Sequence, residues 1–136
     1  MLKSRVVVVL AALAVAGTVT SLSASAFAAD AKPEIAEAAK HAGLAGNSGG
    51  IDGVHAHLHH TLNCLEGPKG TDFDAKEMNP CEGMGSGAIP DAADATTKSS
   101  LAAAAKEAQA GVTETDLPAA QTHARNTEVM LNKIGK

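Results

Sequence analysis

Four of the six histidines fall within the six residues His55-Ala56-His57-Leu58-His59-His60, and Cys64 follows four positions later. Neutral imidazole is a good ligand for Cu(II), Ni(II) and Zn(II), with Cu(II) first in the usual affinity order. On a helix, His55 and His59 stand at i and i+4, so both rings reach one ion. With a core stripe of Ile51, Val54, Leu58, Leu62 and Leu65, this pair lies beside the core. His57 lies on the opposite flank, and His60 points nearly away from the core, into water. Two ligands do not complete a site, and His41, His123, Asp52 or water are the candidates for a third.

Two other readings compete. His57 and His123 could face each other across a helical bundle and ligate a non-covalent haem b. A core of small alanines leaves space for a flat ring, but Phe73 is the only aromatic residue beyond the N-terminal segment. In the third reading the histidines are solvated, the Ala-rich faces meet a partner, and the chain is a structural or interaction module.

Other chemistry lacks its motif. There is no H-E-x-x-H for a metalloprotease, no C-x-x-C or C-x-x-C-H, and no G-x-S-x-G around any serine. Asp72, Asp74 and Glu77 lack the spacing and closing Glu of a calcium loop. Met78 and Met84, six residues apart, are a weak Cu(I) signal. The chain reads as a binding protein and not an enzyme.

The elements that must hold these residues are helical. Pro33, Glu34 and Glu37 suit a helix start, and Ile35, Ala38, Ala39 and Ala42 form a narrow stripe, predicting a first helix over about 33–45. Gly46-Asn47-Ser48-Gly49-Gly50 makes a turn. The second helix, carrying the histidines, is expected over 51–65. Residues 66–90 form a long loop broken by glycines and prolines. A third helix is expected over 92–110, ended by Gly111, and a fourth over 116–134 with Pro118 in its first turn. Displacing the chain by 66 residues aligns Ile35 with Leu101, Lys40 with Lys106, Ala42 with Ala108, Ile51 with Leu117, His57 with His123, Thr61 with Thr127 and Leu65 with Leu131, without a gap. The expected architecture is all-α: a four-helix bundle of two helical hairpins joined by a long, disulfide-pinned loop.

Residues 1–28 read as a secretory signal peptide. Lys3 and Arg5 are the positive region, Val6 to Ala16 the apolar run, and Ala26-Phe27-Ala28 the small-x-small site, with cleavage expected after Ala28 or, second, after Ala29. The apolar run falls short of the ~20 residues that span a bilayer, so no stable membrane anchor is expected. Cleavage leaves one helical domain, 29–136, and removing Lys3 and Arg5 takes the net charge from −4 to −6. An acidic chain disfavours nucleic acid and anionic lipid and suits a protein that meets cations. Two cysteines in an exported chain imply one disulfide, Cys64–Cys81, stabilising by roughly 3 kcal/mol on the chain-entropy model. A core built mainly of alanine is marginal alone, so a disulfide, a ligand or a partner subunit, such as a second copy in a homodimer, is expected.

The pattern Ala39-Lys40-His41-Ala42, then Val54-His55 through Cys64, resembles small, exported, His-containing bacterial proteins with Ala-rich helical hairpins. Some of these are periplasmic four-helix bundles that bind copper and other divalent ions and are proposed to act in metal storage or tolerance. The resemblance covers the first two helices best and the last two only in texture. Where that family spreads histidines over all four helices, this sequence has only His123 in its last two. The stretch Asn63-Cys64-Leu65-Glu66-Gly67-Pro68 to Asn79-Pro80-Cys81, then Gly87-Ala88-Ile89-Pro90-Asp91, resembles one in uncharacterised exported proteobacterial proteins. Taken together, the expectation is a periplasmic protein binding a transition-metal ion, Cu(II) first and Zn(II) or Ni(II) after it, for metal buffering or tolerance. Its expected donors are His55 and His59 with help from His57, His41 or His123.

Overall fold

A computed structural model describes residues 30–136, so the expected signal peptide lies outside the described residues whether it ends at Ala28 or Ala29. Among the described residues the chain is all-helical, with α1 Lys32–Gly46, α2 Ile51–Glu66, α3 Ala88–Asp91, α4 Ala95–Thr113 and α5 Leu117–Ile134. No helix among them is long and apolar enough to cross a membrane. The short α3 lies at the end of the stretch expected to be loop.

Local chemistry explains the helix ends. Pro33 sits in the first turn of α1, where its missing N–H costs nothing. Asn47 ends that helix, its side-chain amide donating to the Gly43 carbonyl at 2.8 Å. The side chains of Asp94 and Asp116 cap α4 and α5 by accepting from Thr97 N–H (2.9 Å) and Ala119 N–H (3.1 Å). Gly111 does not end α4 as the sequence suggested. It is buried inside the helix, where an added Cβ would come 2.6 Å from Leu58 Cδ1 and 3.0 Å from His123 Cβ. The absent side chain serves close helix packing rather than a cap.

α1 packs against α2 and α5, and α4 packs against the same two helices. The core between them is mostly small: Ala38, Ala42, Ala104, Ala108, Ala120 and Ala124 are fully buried, with Val54, Leu58, Leu62, Leu65, Leu101 and Leu131 as its larger members. Alanine at the contacts lets helix backbones approach closely, which shortens the reach needed between side chains on neighbouring helices.

The segment between α2 and α3 is tied down at several points. Its ends meet at Gly67 (φ +66°) and Gly87 (φ +116°), where a Cβ on Gly67 would overlap the Ser86 carbonyl. Only glycine fits both the conformation and the approach. The expected Cys64–Cys81 disulfide is formed. Asn63, fully buried beside Cys64, bonds the backbone of Asp74 and Met78. Glu34 of α1 is 1% exposed and accepts from Gly87 N–H at 3.0 Å. Its second oxygen is buried without a partner, and burial, reinforced by Asp91, pushes the carboxyl above its ordinary range. These ties fold the loop over the last two turns of α2.

Candidate metal centre

His57, Thr61 and Cys64 recur at helical spacing on the face of α2 that docks on α1. Thr61 fixes the contact: its hydroxyl lies 3.3 Å from the Ala38 carbonyl and 3.0 Å from the His57 carbonyl. His57 and His60, at i and i+3, are therefore presented toward His41 on α1. The three rings meet with centroids 5.5 Å (His41–His57), 5.1 Å (His41–His60) and 5.5 Å (His57–His60) apart. One ligand nitrogen from each lies within 4.8 Å of the others, and this is the group of three with metal-holding geometry among the described residues.

The ring nitrogens divide into two kinds. On the outside, His41 Nε2 faces Glu37 Oε1 at 3.2 Å and His60 Nε2 faces Glu77 Oε2 at 3.6 Å. On the inside, His41 Nδ1 faces His57 Nδ1 at 3.3 Å, and His60 Nδ1 is buried with no hydrogen-bond partner. Two facing Nδ1 atoms either share one proton or turn lone pairs to a common cation. A carboxylate on the far nitrogen of a ring favours the lone pair on the near one.

Burial pushes the His41 and His60 imidazoles below the usual histidine value. The neighbouring imidazole lowers each further, His60 acting on His41 and His57 on His60, while Glu37 and Glu77 oppose. Both rings are thus neutral, and able to ligate, at neutral pH. Glu37 itself is held below the ordinary carboxylate range, chiefly by the Lys40 ammonium 2.8 Å away. Three imidazoles, two of them buried and His57 partly so, suit borderline ions such as Cu(II) and Zn(II), and not Ca2+ or Mg2+, which take oxygen ligands.

Of the residues named from sequence, His41 and His57 belong to this cluster. His55 and His59, expected to form the clamp, turn to different neighbours. His55 Nε2 lies 2.8 Å from the Glu114 carbonyl, and His59 Nδ1, buried without a hydrogen-bond partner like that of His60, is 3.9 Å from Asp74 Oδ2. His123 goes to α4, with Nδ1 3.0 Å from Glu107 Oε1, while His57 goes to α1, so the two proposed haem ligands have separate partners. His60 corrects the sequence reading most clearly. Expected in water, it is 7% exposed, because the tied loop covers the end of α2 that the helical stripe left bare. The signal was present in the i, i+3 spacing of His57 and His60 and in Cys64 one turn on, which brings the loop to that face.

Compared with protein-family models, curated proteins and solved structures, the chain has no match. The site must therefore be read from its own geometry.

Proposed function

We propose that this is an exported, periplasmic protein that binds a transition-metal ion through His41, His57 and His60 and buffers it, with Cu(II) held ahead of Zn(II) or Ni(II). The observation that carries the reading is the convergence of three ring nitrogens within 4.8 Å, one of the rings having a buried, partnerless Nδ1. A buried ring nitrogen without a partner is a cost to the fold that a bound cation would remove. The metal order follows general ligand affinities. A disulfide is compatible with an oxidising compartment. The protein acts by holding the ion and not by turning over a substrate.

The same reading takes α1–α2 and α4–α5 as two hairpins of a four-helix bundle that arose by internal duplication. Supporting this, Thr61 and Thr127, which align at the 66-residue displacement, are both fully buried. Each donates to the carbonyl four residues back, that of His57 or His123.

Calorimetric titration of the metal-free, disulfide-bonded protein with Cu(II), and with Zn(II) for comparison, tests the proposal. Saturable binding near one ion per chain is expected. It should be lost in His41→Ala, His57→Ala and His60→Ala and kept in His55→Ala and His123→Ala. Binding no tighter than that of a short His-containing peptide would sink the proposal.

A further inference from the structure

The two carboxylates on the outer face of the histidine cluster reach it in different ways. Glu37 stands four residues before His41 on α1, so the helix itself delivers it. Glu77 comes from the loop, where no regular element fixes its position. What fixes it is Asn63. This residue is fully buried, and all its side-chain bonds go to one stretch of loop backbone. Its Nδ2 lies 3.0 Å from the Asp74 carbonyl, 3.1 Å from the Met78 carbonyl and 3.4 Å from the Glu77 carbonyl, and its Oδ1 accepts from Asp74 N–H at 2.8 Å. The stretch is itself turned by Glu77 N–H donating to the Asp74 carbonyl at 3.2 Å. Glu77 Oε2 is thereby set 3.6 Å from His60 Nε2, near enough for its charge to favour the proton on that nitrogen, while the Nδ1 of the ring is buried without a partner. Asn63 is three residues from His60 on the same helix. Loop and ligand are therefore referred to one rigid element.

We infer that Asn63 is a positioning residue of the metal centre: by clamping Asp74–Met78 it seats the Glu77 carboxylate on His60 Nε2, which fixes the tautomer and orientation in which His60 Nδ1 ligates the ion. The inference rests on the metal-binding reading above. Partners of this kind, on the far nitrogen of a ligating histidine, are typically worth about 10- to 100-fold in metal affinity.

The test is a double-mutant cycle read by Cu(II) calorimetry on the metal-free, disulfide-bonded protein, with His60→Ala alongside and folding checked by circular dichroism. Glu77→Gln is expected to weaken Cu(II) binding about 10-fold. Asn63→Ala should do the same, and the double variant should lose no more than the weaker-binding single variant. A merely structural Asn63 would instead multiply its loss with that of Glu77→Gln. Losses that multiply, or a folded single variant within about twofold of the parent, overturn the inference. Should Asn63→Ala not fold, Asn63→Ser takes its place in the same cycle with Glu77→Gln, whose part-exposed side chain leaves the core intact, and the same two outcomes decide. If His60→Ala abolishes binding and Glu77→Gln leaves it unchanged, this inference fails while the metal reading stands. If His60→Ala binds as the parent does, the metal reading fails and takes the inference with it.

Discussion

At a displacement of 66 residues, every buried residue of α4 and α5 falls on a buried residue of α1 and α2. Leu101, Ala104, Ala105, Ala108 and Gly111 fall on Ile35, Ala38, Ala39, Ala42 and Ala45, and Ala120, Ala124, Thr127 and Leu131 on Val54, Leu58, Thr61 and Leu65. The same displacement carries His41, His57 and His60 onto Glu107, His123 and Asn126. In the second helix pair these three close on themselves. Glu107 Oε1 takes His123 Nδ1 at 3.0 Å and Asn126 Nδ2 at 2.9 Å, and these bonds, that of Asn126 foremost, hold its carboxyl below the ordinary range. One pair thus holds a carboxylate with its two donors, and the other holds three imidazoles. The cover differs as well. Asn126 is exposed, whereas His60 lies under the loop that Cys81 and Asn63 pin to α2. Similar helix packing therefore supports either a satisfied hydrogen-bond triad or three imidazoles that could hold a metal ion, and residue type and cover decide which.

The strongest way to break the comparison is to exchange the triads. His41→Glu combined with His60→Asn copies the second pair into the first. Cu(II) affinity should fall by more than the roughly 10- to 100-fold that outer partners are worth, because two of the three imidazoles are gone and one carboxylate replaces them. Glu107→His combined with Asn126→His should add a second, weaker Cu(II) per chain in the same calorimetric titration. Retained affinity in the first variant would show that the ion sits elsewhere.

A smaller effect sharpens the packing half of the comparison. Leu65 and Leu131 are equivalent and fully buried, so Leu65→Ala and Leu131→Ala should each cost about 2–5 kcal/mol in denaturant unfolding. If either cost less than about 1 kcal/mol, the buried set would not be the core described.

The smallest effect is in pH. His41 and His60 bind protons less readily folded than unfolded. Their contribution to stability is fully present above the unfolded value near 6.5 and is lost as pH falls from there through the depressed folded values. The metal-free thermal midpoint should therefore drop on acidification below about pH 6.5, and His60→Asn should flatten that drop. Glu34, raised when folded, runs the other way: its contribution is present below about 4.5 and is lost as pH rises through its folded value. An identical slope in His60→Asn would show that His60 titrates as a solvated histidine.

The sequence by itself determined the local events. Apolar spacing and helix-end chemistry located the long helices, and a lone pair of cysteines in a chain read as exported implied the disulfide. His41 and His57, which the structure brings together, were among the candidates, behind His55 and His59. These features depend on residues a few positions apart, or on a pairing with no alternative. Tertiary structure decided which face of α2 meets α1, what lies over its last turns, and hence which histidines converge. A helical wheel fixes directions around one axis, but burial of His60 depends on a loop closed by Cys81, Asn63 and Glu34, which act from 17, 11 to 15, and 53 residues away from their contacts. The same reason explains Gly111. A glycine near a helix end reads locally as a stop, and only the approach of Leu58 and His123 shows that it is a packing contact.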